Sequence, residues 1–242
     1  MTAQSEAGSH GQNRLLSALQ PADFAILAPN LKDGRFKQGA VLQEAGESIN
    51  LVYFPKNGMI SLLAVMEGGN AIETATVGRE GAVGVMAGLW GGSRATGRAV
   101  VQLEGDYSSV SATQFRDAVV QSRGIRDLMS RYNDTQITLV YQVAGCNALH
   151  QASARLCRWL LQTRDRSESD TLSLTHEFLS EMLGVQRTTV TILARELQTL
   201  GLINYRRGRI EIRERRGLER RACECYETAR RRIESVFSES LS

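Results

Sequence analysis

The 242-residue sequence has no apolar run near the roughly eighteen residues that a bilayer span requires. Its opening, "MTAQSEAGSHGQNR", is polar and lacks the hydrophobic segment of a secretory signal. A membrane partner is therefore not expected, and the cytoplasm is the expected location. Cysteine is scarce: Cys146, Cys157, Cys223 and Cys225 are too few for a disulfide framework in a chain this long. Proline is scarcer, and Pro21, Pro29 and Pro55 all fall in the first quarter. Catalytic signatures are missing too. There is no G-x-S-x-G, no H-E-x-x-H and no cysteine with a plausible paired histidine. An enzyme is not expected.

Lysine is nearly absent, and this sharpens a charge asymmetry. Up to His150 there are 12 Lys and Arg against 13 Asp and Glu; beyond it there are 17 against 13. Every basic residue in the second part is Arg, the side chain suited to bidentate contact with phosphate and guanine.

The stretch "VGREGAVGVMAGLWGGSR", Val77 to Arg94, is rich in glycine. It lacks the Lys of a P-loop and the G-x-G-x-x-G spacing of a dinucleotide fingerprint, so tight turns are its local reading. Around it, "FKQGAVLQEAGES", "LVYFPKNGMISLLAVMEGG", "IETATVG" and "RAVVQLEGD" alternate apolar and polar residues between turn signals. Residues 36–110 are thus expected to form an all-β sandwich or barrel-like roll.

From Ala112 the period becomes helical. A long amphipathic helix is expected from about 124 to 146, with Ile125, Leu128, Tyr132, Leu139 and Cys146 on one stripe and Met129, Gln136 and Val143 beside it. That stripe needs cover. A second copy of the chain is the natural candidate, through Ile125, Leu128, Tyr132, Leu139 and Val143; the alternative is the chain's own β domain. "RSESD" at 166–170 is a polar break. The final helix is expected to bury Leu218, Ala222, Cys225, Tyr226, Ala229 and Ile233.

"LTHEFLSEMLGVQRTTVTILARELQTLGLINYRRGRIEIR" carries the most information. Thr175 can cap a first helix, Gly184 suits the turn, and Leu179, Leu183, Val185, Val190 and Leu193 supply the packing positions. A second helix from Gln186 turns Val190, Leu193, Ala194 and Leu197 inward. Thr188, Thr191, Ile192 and Arg195 then project outward, with Arg187 at the leading end. This is the profile of a recognition helix, whose Arg187 could reach O6 and N7 of guanine. "LINY" and "RIEI" form a β wing tipped by Arg206, Arg207 and Arg209, placed for phosphate contact.

Together these segments resemble the Crp/Fnr superfamily of bacterial transcription regulators, over about Phe36 to Ile212. The resemblance implies an α+β architecture. An N-terminal antiparallel β-roll, jelly-roll-like, spans residues 1–112 with its core at about 30–112. A linker and dimerisation helix follows at 113–147, then a C-terminal winged helix-turn-helix at 148–217 and an amphipathic helix at 218–242. It implies a homodimer whose recognition helices enter successive major grooves of double-stranded DNA, and contact with RNA polymerase in an activator. By motif position Arg187 matches the guanine-reading arginine, while Thr175, Gln186 and Thr189 match phosphate contacts. Thr188 and Ile192 depart from the glutamate and arginine of cyclic-AMP-responsive members, so a different base sequence is expected.

The same resemblance makes the glycine-rich stretch the cyclic-nucleotide cassette. Gly84 matches its glycine, but Val85 stands where the ribose-binding glutamate belongs. The arginine position falls near Ala95 or Thr96, between Arg94 and Arg98. Cyclic nucleotide is therefore not expected, nor any other cofactor. Val85, Met86, Arg94 and Arg98 are the candidate lining of a site for a different effector. Iron–sulfur members use N-terminal cysteines, and none precedes Cys146 here. On a helix, Cys223 and Cys225 would point about 200° apart, too far to share an ion, and His10, His150 and His176 show no ligand spacing. No metal is expected. The alternative function is a small-molecule-sensing module whose winged helix contacts protein rather than DNA.

Overall fold

A computed structural model describes residues 12–90, 94–167 and 169–238. Gly91, Gly92 and His10 of the sequence reading lie outside them. The chain divides into two compact units, one of residues 1–63, 75–139 and 231–242, the other of 64–74 and 140–230.

The first unit is the expected antiparallel roll. One sheet has the order β1 (Lys32–Phe36), β7 (Gly105–Ser111), β3 (Leu51–Pro55). The other runs β2 (Val41–Gln43), β6 (Arg98–Leu103), β4 (Met59–Val65), β5 (Ala71–Val77). Alternation along the strands sends Phe36, Ile60, Val77, Ala99 and Val101 into one core. A second core joins Val52, Phe54 and Val110 to helical side chains. These come from α1 (Arg14–Ser17), α2 (Pro21–Leu27), α4 (Ala112–Gln121) and the start of α5 (Arg123–Leu149), with Phe54 and Phe115 edge to face at 6.1 Å.

Asn13 fixes the entry of the chain into this core. It is fully buried, its amide donates to Pro55 O and Gly81 O at 2.8 Å each, and its oxygen accepts from the Leu15 and Leu16 N–H groups. The cap and two long-range bonds thus rest on one side chain.

The glycine-rich stretch makes a short helix, α3 (Met86–Leu89). Gly84 sits at φ +91°, where a side chain would meet Leu51 O. A Cβ on Gly88 would collide with Phe115 and Val119 of α4, so this glycine lets α3 lie against α4.

Helix α5 begins where Ser122 accepts from Ile125 N and donates to Asp23 at 2.6 Å. It corrects the reading of the dimer stripe. Ile125, Leu128 and Tyr132 are buried in the roll's second core, and Tyr132 OH donates to Ala82 O at 2.9 Å. Leu139 is buried and Val143 half-buried. The exposed stripe lies nearly half a turn away, at Ile137, Tyr141, Ala144 and Ala148. The apolar periodicity was right, but the larger side chains in it serve the chain's own core.

The second unit contains the end of α5, α6 (Ala152–Ser167), α7 (His176–Leu183), α8 (Arg187–Thr199) and a sheet ordered β8 (Thr171–Ser173), β10 (Arg209–Ile212), β9 (Ile203–Arg206). Strand β8, unforeseen from the sequence, adds a third strand to the wing. Trp159 anchors this unit at 1% exposure, edge to face with Phe178 and donating from Nε1 to the buried Glu73 carboxylate at 2.9 Å. The last helix is not continuous. It is split into α9 (Arg215–Arg221) and α10 (Cys225–Ser238), with Ala222 extended at φ −66°, ψ 149°.

Candidate nucleic-acid interface

The helix-turn-helix forms as its sequence dictates. Thr175 Oγ1 accepts from Phe178 N at 3.1 Å to start α7. Gly184 ends it in the left-handed region, φ 61°. Gln186 caps α8 through its extended backbone, with no side-chain bond to the helix N–H groups. Val190, Ala194 and Leu197 are buried. Arg187, Thr188, Ile192 and Arg195 stand exposed, as do Thr175 and Gln186; Thr189 and Thr191 are half-buried. Ile192 is 65% exposed, which no apolar core explains on the outer face of a short helix.

The wing completes the surface. Arg206 pairs with Arg209 across a two-residue turn in which Arg207 (φ 49°) and Gly208 (φ 75°) both lie at positive φ, as a type I′ hairpin needs. All three arginines are exposed, and no ion pair among the described residues engages them. Arg187 meets Glu177 at 3.3 Å, but both side chains are largely exposed, so the pair exchanges easily for another anion.

His176 joins the three parts. Its ring stacks on Tyr205 of β9 at 4.2 Å and 17°. Thr191 Oγ1 donates to Arg187 O at 3.0 Å, so the ring's Nδ1–H donates to Thr191 at 2.9 Å. Nε2 is buried and is left as a bare acceptor. Burial and the charges of Arg187 and Arg195 hold this imidazole below its ordinary range, so the fold favours the neutral ring. The unfolded chain takes the proton first. His176 therefore contributes stability above about pH 6.5, and that stability is lost as pH falls below this value through the folded-state pKa. Urea titrations at stepped pH should show wild type weakening relative to His176→Asn in that window; parallel pH profiles would remove the assignment. His176 is thus a half-buried packing residue between the helix-turn-helix and the wing. Its packing partner Tyr205 lies on a strand 29 residues away, and no local pattern joins them.

The candidate effector residues sit differently. Val85 is buried in the second core, and Met86 packs by Ile49, Ala87 and Ala95. Arg98 Nε is held by Glu44 at 2.8 Å, and Arg94 Nη1 donates to Gly46 O at 2.7 Å.

The cysteine geometry needs correcting. Cys223 lies in the break between α9 and α10, not on a helix, so the 200° argument fails. Cys223 and Cys225 converge, and they meet Cys146 and His150. Cys146 lies in the last turn of α5 and His150 just past its end, four residues on, with His150 N donating to Cys146 O at 3.1 Å; the sequence displays this spacing, contrary to the expectation of none.

Residues 34–122 match the family model of the cyclic nucleotide-binding domain, and residues 154–221 match that of the Crp-like helix-turn-helix domain. No curated relative matches the chain in sequence. Among solved structures it is similar to a putative transcriptional regulator of the Crp/Fnr family from Eubacterium rectale. That likeness has TM-score 0.69 and 18% identity over 87% of this chain and 98% of that one. FixK2 from Bradyrhizobium japonicum gives TM-score 0.67 at 15% identity over 80% and 98%. The c-di-GMP responsive global regulator CLP of Xanthomonas campestris gives 0.63 at 15% over 80% and 99%. No helix among the described residues is long and apolar enough to cross a membrane.

Proposed function

The chain belongs to the Crp/Fnr superfamily of transcription regulators, and from that premise we propose that it is a homodimer reading a near-palindromic DNA site with Arg187 of each copy. One observation carries the reading. A helix anchored by Val190, Ala194 and Leu197 offers Arg187, Thr188, Ile192 and Arg195 to solvent, beside a wing that exposes Arg206, Arg207 and Arg209. Arg187 serves guanine, and Ile192 suits the methyl of thymine. Gln186, Thr175, Thr189 and the wing arginines serve phosphates. Thr191, bonded to His176 and Arg187 O, positions the helix rather than reading a base.

The second copy covers Ile137, Tyr141, Ala144 and Ala148, whose 4-3-4 spacing is that of a coiled-coil seam with two small residues for close approach. The roll acts without cyclic-nucleotide chemistry: Val85 is in the core, and Arg98 is already paired with Glu44. An effector of another class, or none, sets the seating of the dimer.

The test is binding of the full chain to DNA recovered from random oligonucleotides. Six wing arginines per dimer on phosphates should lower affinity by roughly 10³-fold between about 50 and 200 mM salt. Sedimentation should give a dimer that Tyr141→Glu dissociates. A monomer, or salt-insensitive capture of a protein instead of DNA, refutes the reading.

A further inference from the structure

Four side chains outside the DNA surface meet at the end of α5: Cys146, His150, Cys223 and Cys225. One ligand atom from each lies within 4.8 Å of the other three. All three thiols are buried and none is in a disulfide. We propose that they form a mononuclear tetrahedral Zn²⁺ site, independent of DNA recognition.

The distances decide the metal's nuclearity. Zinc with sulfur at about 2.3 Å and nitrogen at about 2.0 Å holds two thiolates about 3.8 Å apart, and a thiolate and an imidazole nitrogen about 3.6 Å apart. Here Cys146 Sγ and Cys223 Sγ are 3.5 Å apart, and Cys225 Sγ and His150 Nδ1 are 3.6 Å apart. An iron–sulfur cluster hangs its cysteines on different irons and spreads them more widely. Three thiolates and one imidazole are a closed zinc donor set, softer than magnesium, calcium or manganese would accept.

The surroundings are those of a ligand set. His150 has Nδ1 toward the thiols while Nε2 lies 3.1 Å from Glu224 Oε1, the carboxylate–histidine arrangement that orients a ligating ring. Gln142, one helical turn before Cys146, donates from Nε2 to Cys225 Sγ at 3.0 Å. Two buried arginines on α6, Arg155 and Arg158, lie close enough for their charge to act on Cys146 and Cys223. Three thiolates with one Zn²⁺ leave a net negative charge, and these guanidinium groups offset it. The backbone completes the case. The chain interrupts an amphipathic run at 222–224, and the break is what turns Cys223 and Cys225 to the same point. The ion would pin that break to the last turn of α5.

The experiment uses the full chain, purified with reductant and supplied with zinc. Metal analysis should find about one zinc per chain, and Co²⁺ in its place should give the visible bands of a tetrahedral thiolate site. Glu224→Gln, which changes only an exposed outer carboxylate, should weaken zinc affinity by about 10–100-fold with the helical spectrum unchanged. Cys225→Ser should remove one charge-transfer contribution from the Co²⁺ spectrum. Four freely reactive thiols with no bound zinc would overturn the assignment. So would iron with sulfide, or a Cys146–Cys223 disulfide in protein whose thiols were blocked at lysis.

Discussion

Arg187→Ala should abolish sequence-specific DNA binding while leaving the fold and the oligomer intact. One bidentate arginine–guanine contact is worth about 1–3 kcal/mol of discrimination, and a dimer makes two, so the specific affinity should fall by roughly 30-fold to 10⁴-fold. Non-specific affinity should change far less, since the wing arginines remain. The side chain is exposed and, among the described residues, pairs with the exposed Glu177, so stability should hold within about 0.5 kcal/mol. Competition binding on the selected operator and on scrambled DNA reads both quantities. A loss equal on the two DNAs would reassign Arg187 from base reading to phosphate contact.

Trp159→Ala should be the most damaging single change in the second unit. Truncating a fully buried tryptophan costs about 3–5 kcal/mol through lost transfer energy and cavity. The indole also donates to the buried Glu73 side chain, and such a hydrogen bond is worth about 0.5–1.5 kcal/mol. Against a total stability of about 5–15 kcal/mol, the variant should be largely unfolded at 37 °C. Trp159→Phe keeps most of the volume and the contact with Phe178, and should lose only the smaller amount. Urea unfolding of the three proteins measures the difference. Equal losses in the Ala and Phe variants would place the whole effect in the bond to Glu73.

Much of this was legible because local rules and the final fold agree. Thr175, Gly184 and the Val190-to-Leu197 spacing mark two helices and the turn between them, and each takes the backbone conformation its residue type favours. Gly208 marks the wing turn in the same way, whereas Arg207 takes a positive φ that its residue type disfavours. The failures share a cause: they concern which surface a periodic stripe meets. Ile125 and Ile137 look alike in sequence, yet one is buried in the roll and the other faces solvent. Periodicity gives the stripe's angle around the helix, not its partner. The cysteines failed for a related reason. Apolar spacing continues across 222–224 and predicts one helix, on which residues that are neighbours in the fold would point apart.

Asn13 has a consequence for anyone who would dissect the protein. A fragment cut to the visible strands would begin near residue 30 and discard the side chain that bonds both Pro55 O and Gly81 O. It would also discard Val236, which comes from the far end of the chain and packs in the same core as Leu15 and Phe54. The roll is contiguous in space but not along the gene. No single pair of truncation points isolates it, and an autonomous version would have to be built by permutation: carrying the last helical turns to the front, ahead of Asn13.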